Sequence, residues 1–156
     1  MEKILITYAT RPLGLRIAKL LSASFEIEKT TSDEIPSVLK SAYTAIPRGQ
    51  NPTYAHELLK LALDKTCQYI LPLGKEEAFT LAETSLLFEE YGIQVLCPPK
   101  ELLAAIDCLS DPPADLRLNL LRDKKDMISG EVFADSEWNG LCIVSDSGDD
   151  FVLVTV

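Results

Sequence analysis

Only one histidine and four cysteines occur among the 156 residues, and Cys67, Cys97, Cys108 and Cys142 never form a CxxC pair. With His56 as the sole imidazole, zinc-ligand spacing is absent. Scattered thiols of this kind read as buried, reduced side chains of a cytoplasmic protein. Positive charge is also scarce: 15 basic residues stand against 24 acidic ones, for a net charge of −9. Nucleic-acid affinity comes largely from cations that neutralise phosphates. The densest basic group, Arg117, Arg122, Lys124 and Lys125, is interrupted by Asp115, Asp123 and Asp126. It reads as a mixed, solvated face, and no nucleic-acid partner is expected. No run approaches the ~20 apolar residues that a membrane span requires. The opening run, residues 1–6, is too short for a signal peptide, so neither membrane nor export is expected. Of seven glycines, only Gly14 falls in the loop after the first strand-like segment. The GxGxxG dinucleotide fingerprint is therefore missing, and no cofactor is expected.

What is present is an ordinary globular balance, 47% apolar and 25% charged, in a chain long enough for a domain-sized core. Residues 3–8 form a short apolar run of the kind found in a central parallel strand. Residues 13–23 follow as a helix, with Ile17, Leu20 and Leu21 on one face. Residues 25–28 alternate as a strand nearer the edge, 33–40 read as a short helix or turn, and 43–46 as a short strand. Asn51 is placed as an N-cap with Pro52 at the first helical position. Ala55, Leu58, Leu59 and Ala62 then mark a helical stripe. Residues 68–72 read as another central strand. Glu76 and Glu77 open a helix that runs to about Tyr91 and ends at Gly92. Residues 93–96 make a fifth strand, and Pro98-Pro99 lead into a helix that buries Leu102, Leu103 and Ile106. This alternation predicts an α/β three-layer sandwich, with a parallel Rossmann-like sheet of about five strands covered on both faces.

After about residue 110 the pattern changes. Two units are expected: a Rossmann-like domain over 1–110, and an extension over 111–156 packed on it. The extension reads as a helix over 114–122, then strands over 131–134, 141–144 and 151–154 in a small antiparallel meander. Asp146, Asp149 and Asp150 lack calcium-loop spacing and read as a hairpin turn, so no metal is expected. The apolar end, residues 151–156, is either an edge strand for pairing with a second subunit or a strand buried within the monomer.

Ligands of open α/β sheets bind beyond the carboxyl ends of the strands, where the strand order reverses. Three loops therefore carry the candidate site. The first holds Thr10, Arg11 and Gly14, a helix start with Arg11 as a clamp for phosphate or carboxylate. The second holds Arg48, which together with Arg11 would grip an acidic ligand. The third holds Pro72, Gly74, Glu76 and Glu77, whose carboxylates suit a substrate amine or simply the helix dipole. His56 has no serine or cysteine elbow near it, and no catalytic residue is assigned.

Several of these segments resemble a family. Lys3-Ile4-Leu5-Ile6-Thr7 with Gly14 and Ala18-Lys19-Leu20-Leu21 resembles the opening of pre-ATP-grasp domains. So do Tyr54, Leu58-Leu59, the run from Tyr69 through Pro72-Leu73-Gly74-Lys75 to Glu76-Glu77, Leu81-Ala82, and Tyr91-Gly92-Ile93-Gln94-Val95. The resemblance covers roughly residues 3–108. It implies that the loop after the first strand and residues 72–77 face the substrate side of a carboxylate–amine ligase or carboxylase site. Where such proteins often continue from Asp-Lys into their ATP-binding lobes, this chain has Asp107-Cys108 and only 48 further residues. No glycine-rich ATP-covering loop and no set of magnesium-binding carboxylates is present, so ATP-dependent ligation by this chain alone is not expected. The leading expectation is a non-catalytic binding or accessory domain. It would hold a small acidic ligand, or dock on an ATP-grasp-type partner chain or on its own copy. The alternative is a small Rossmann-like enzyme acting on a nucleotide or sugar-nucleotide.

Overall fold

A computed structural model describes the whole chain, Met1–Val156. Its first part runs β1 (Lys3–Ile6), α1 (Pro12–Leu21), β2 (Glu26–Thr31), β3 (Thr44–Ala45), α2 (Tyr54–Asp64), β4 (Tyr69–Leu71), α3 (Lys75–Glu83), α4 (Ser85–Glu90) and β5 (Gln94–Val95). These strands form one five-stranded sheet in the order β3-β2-β1-β4-β5, with every neighbouring pair parallel. The chain lays β2 and β3 outward on one side of β1, then returns to place β4 on its other side. Strand order thus reverses between β1 and β4.

Side-chain alternation explains why the central strands are apolar throughout. Ile4 and Ile6 join Leu13, Ile17 and Leu21 of α1 in one core cluster, together with Tyr69 and Leu71 of β4. Leu5 and Ile70 point the other way, into a second cluster with Leu58, Ala62, Leu81 and Phe88 from α2, α3 and α4. A strand buried on both faces has no polar side, so period-two patterning vanishes there. The expected three-layer α/β architecture with a parallel Rossmann-like sheet is present. α4 ends where Gly92 takes φ +76°. The Gly92 amide donates to Glu89 and the Ile93 amide to Phe88, each at 3.0 Å, the paired bonds of a glycine C-terminal cap.

Other boundaries shift. The helix expected from residue 76 to 91 is split at Thr84 into α3 and α4. Asn51 and Pro52 precede α2 rather than cap it: the Asn51 carboxamide accepts from the Thr53 amide at 3.0 Å, and Thr53 occupies the cap position. This is a side-chain turn of the kind asparagine favours, leading into the helix one turn later. Residues 33–40 contain a single 3-10 turn, Ser37–Leu39.

The remainder runs α5 (Lys100–Leu103), β6 (Cys108–Ser110), β7 (Asn119–Arg122), β8 (Lys125–Asp126), β9 (Gly140–Val144) and β10 (Phe151–Thr155). Its sheet has the order β6-β10-β9-β7-β8. β10 is antiparallel to β9 but parallel to β6, so this sheet is mixed where an antiparallel meander was expected. β6 lies within residues 1–110, yet it pairs with β10 of the following segment. No helix forms over residues 114–122; turns lead into β7 instead. Leucine and arginine favour helices in isolation, but Leu120 and Leu121 are buried in a ladder with β9, and tertiary pairing overrides propensity. Residues 131–134 make only a single bridge, Val132 to Lys125. The Asp146–Asp150 segment is the hairpin turn between β9 and β10, with Ser145 accepting the Asp150 amide at 3.1 Å. β10 lies between β6 and β9, so it offers no free edge to a second subunit; the alternative of burial within the monomer holds.

The second sheet completes the first core. Leu118, Leu120, Leu141 and Val154 belong to the same cluster as Ile4, Ile6 and α1. One face of the parallel sheet is therefore covered jointly by α1 and the second sheet. No helix is long and apolar enough to cross a membrane. Because the two sheets share one core, Leu120→Ala, at a position 0% exposed, is expected to destabilise the whole chain by about 3 kcal/mol. Urea unfolding followed by both far-ultraviolet circular dichroism and tryptophan fluorescence should show one coincident transition; two separated transitions would mean the sheets fold independently.

Candidate functional site

The strand reversal puts the carboxyl ends of β1 and β4 side by side, where an α/β sheet ordinarily opens a crevice. Thr7 follows β1 and is fully buried. Its hydroxyl donates to Glu77 Oε1 at 2.5 Å and accepts from the Leu73 amide at 2.8 Å. The same Glu77 oxygen accepts from the Gly74 amide at 3.2 Å, so the side chain reaches back over the start of its own helix. Glu77 is 1% exposed. Burial pushes its carboxyl up to about 7, against the opposing hydrogen bonds from Thr7 and Gly74. Tyr54 Oη and Glu77 Oε2 are both buried without a hydrogen-bond partner. Burial first, and the Glu77 charge second, hold the Tyr54 hydroxyl well above the usual tyrosine range.

Gly74 is required by closeness. A Cβ there would lie 2.6 Å from Tyr8 Cε2 and 3.0 Å from Glu77 Oε1. Tyr8, in a left-handed backbone conformation at φ +48°, lays its ring over this point. The Val156 amide bonds the Leu73 carbonyl at 2.9 Å and covers the loop from the other side. The switch point is thus filled by its own residues.

The cationic half of the site lies outside this plug. Arg11 grips Asp33 with two hydrogen bonds, Nε to Oδ2 at 2.8 Å and Nη2 to Oδ1 at 3.1 Å. Its guanidinium also stacks on the Tyr8 ring, 4.4 Å from the centroid. Arg48 reaches the same carboxylate at 3.8 Å and is 59% exposed. The hydrogen bond with Arg11 is the main reason the Asp33 carboxyl is held below the usual carboxylate range and the Arg11 guanidinium above its own. Arg11 and Arg48 do converge, as the loop positions require, but around an internal anion. Two cations and one carboxylate leave one positive charge facing solvent.

The other candidates divide. Gly14 serves packing, because a Cβ there would collide with the Tyr8 carbonyl. Thr10 is half-buried in the turn between β1 and α1, and Pro72 is buried on the way out of β4. Glu76 is exposed while Glu77 is buried, so the two adjacent carboxylates do not act together. Four participants were not singled out from sequence: Thr7, Tyr8, Asp33 and Tyr54. None of the four carries a signal legible in sequence; Asp33 is set in place by a turn in which the Thr31 hydroxyl accepts its amide at 3.0 Å. His56 is exposed on α2. The four cysteines are free, and burial pushes Cys67 up to about 11 and Cys97 and Cys142 up to about 12. These three thiols are not nucleophiles at neutral pH.

No family model matches the chain, and no curated protein matches it in sequence.

The Glu77 plug has a definite pH signature. A carboxyl raised from about 4.5 to about 7 on folding adds stability that is complete below the unfolded value and is lost as pH rises through the folded one. Relative to Glu77→Gln, the wild-type chain should lose about 3 kcal/mol between pH 4.5 and pH 7.5. Urea unfolding across that range measures it, and parallel profiles for the two proteins would show that Glu77 does not carry the shift.

Proposed function

We propose that this chain is a non-catalytic binding domain that holds a small acidic ligand at the Arg11–Arg48 pair. The observation that carries this reading is the convergence of two arginines on Asp33 at the carboxyl end of the parallel sheet. Arg11 is fixed by its bidentate bond and by the Tyr8 ring, so it presents its remaining donors without further ordering. Arg48 stands in solvent with its outward donors open. A ligand carboxylate would add to this array as its second anion and leave Asp33 in place. The filled switch point supports binding over catalysis, because a reacting group has nowhere to sit beside Glu77.

As an origin, we propose kinship with pre-ATP-grasp domains. The motifs of residues 3–108 and the Rossmann-like strand order support it. On that reading the ligand surface, or the face around it, could serve as an accessory element to an ATP-grasp-type chain or to a second copy. One observation favours the enzymatic alternative, in which the substrate is a nucleotide or sugar-nucleotide: Glu77 is poised near neutrality beside an unbonded Tyr54 hydroxyl. That chemistry requires the plug to open.

Succinate titrated into the 15N-labelled protein should give saturable shifts at the backbone amides of residues 10–11, 33 and 48. Arg48→Ala, at an exposed position, should weaken binding at least ~fivefold, the scale of one lost charge-assisted hydrogen bond. Lys65→Ala, remote on the end of α2, should change nothing. Absence of saturable shifts, or an Arg48→Ala protein that binds as well as wild type, would reject the reading.

A further inference from the structure

Beside Arg11, a groove runs between α1 and the segment that follows β6. Its volume is about 730 Å³, within the ~300–1,000 Å³ range of small-molecule sites. Its charge runs against that of the chain. Arg11, Arg16 and Lys19 line it, with Asp111 as the only carboxylate, whereas the chain as a whole carries −9. Arg11 is paired with Asp33, but neither Arg16 nor Lys19 takes part in any ion pair. Arg16 instead donates to the carbonyls of Pro113 and Leu116. Those bonds hold the groove's far wall against α1 and leave the guanidinium charge uncompensated.

The remaining walls are apolar. Pro12 and Leu15 come from α1, and Pro112 and Ala114 from the opposite segment. Leu15 is 50% exposed although it stands on a packed helix. A water-facing leucine flanked by unpaired cations is a poor arrangement for solvent and a good one for an amphiphile.

We propose that this groove binds the body of a small organic anion with an aromatic or aliphatic part, its acid group held by Arg11 and Lys19. The proposal rests on the acidic-ligand reading above and adds the ligand's other half. A purely polar diacid satisfies the arginines alone. An aryl or acyl carboxylate also covers Leu15, Pro12 and Pro112, and so removes apolar surface from water. Charge complementarity selects the head group, and the walls select the body.

The test uses the full chain and three probes: 2-naphthoate, its neutral analogue 2-naphthamide, and acetate. In 15N-correlated spectra, 2-naphthoate should shift the amides of residues 13–19, 111 and 114 saturably, at least tenfold more tightly than either control. Lys19→Glu and Leu15→Glu lie at exposed positions, and their unperturbed spectra would confirm folding. Each should weaken 2-naphthoate at least fivefold and leave succinate binding within a factor of two. If succinate binds but acetate matches 2-naphthoate, or if both variants bind 2-naphthoate like wild type, the groove proposal falls and the acidic-ligand reading survives. If neither succinate nor 2-naphthoate binds, both fall. Shifts by 2-naphthamide equal to those by 2-naphthoate would also overturn the proposal, because they would show apolar capture without recognition of the acid.

Discussion

Two strands that leave the same sheet edge, β1 and β4, are tied together by one hydroxyl and one carboxylate. Thr7 bonds both Leu73 and Glu77, and Glu77 bonds back to Gly74. The loops after β1 and β4 meet at that tie. It fixes where α3 begins, brings Gly74 under the Tyr8 ring, and so sets the turn from which Arg11 projects. The tie also draws the loop after β3 inward, since the Thr80 hydroxyl of α3 donates to the Gly49 carbonyl at 2.8 Å; Arg48 rides on that loop. A carboxyl in such a place must be bonded or neutral. Glu77 is partly each, with one oxygen doubly bonded and the other without a partner. The same interaction that closes the switch point therefore leaves a buried, titratable group at its centre.

The second sheet alters what the first can be used for. The helices after the fourth strand, α3 and α4, pack on the face opposite α1, so the α1 face needs other cover. Here α5 is one turn long, and Leu118, Leu120, Leu141 and Val154 supply that cover. The segment joining β6 to β7 then passes along α1, where Arg16 anchors it. The groove beside Arg11 lies between α1 and this irregular segment. The shape of this end of the molecule thus depends on a packing choice made across the core.

The Rossmann-like sheet was legible because its signals are local. Short apolar runs followed by helical stripes needed no long-range information, and Gly92 marked its helix end by a requirement that only glycine meets easily. The second sheet was legible only in part. β9 and β10 show as apolar runs around a turn, whereas β7 reads as a helix because Leu120 and Leu121 gain their strand geometry only by pairing with β8 and β9. β6 is three residues long, and nothing in Cys108-Leu109-Ser110 announces a parallel partner more than forty residues away. At the site, Arg11 and Arg48 could be placed at the sheet's carboxyl end from loop order. Asp33 could not, since its role depends on two side chains arriving from different loops. Glu76 and Glu77 look alike in sequence, and only helix rotation makes one solvent-facing and the other buried.

On the proposed reading, Asp33 decides what kind of ligand the arginines would accept. An isolated pair of arginines at a sheet edge would repel each other and attract any anion, with affinity falling steeply as salt rises. With Asp33 between them, most of that charge is already satisfied, and Arg11 is locked by two good hydrogen bonds and a ring. An incoming acid gains from about one net charge and from donors that are already oriented. Charge alone is then a weak basis for selection, and a small inorganic anion gains little over solvent. Discrimination has to come from what else the ligand touches. The surfaces next to the pair are Pro12, Leu15 and Pro112 on one side and the plugged switch point on the other. On that reading, selectivity for the body of the ligand over its acid group would follow from Asp33 being where it is.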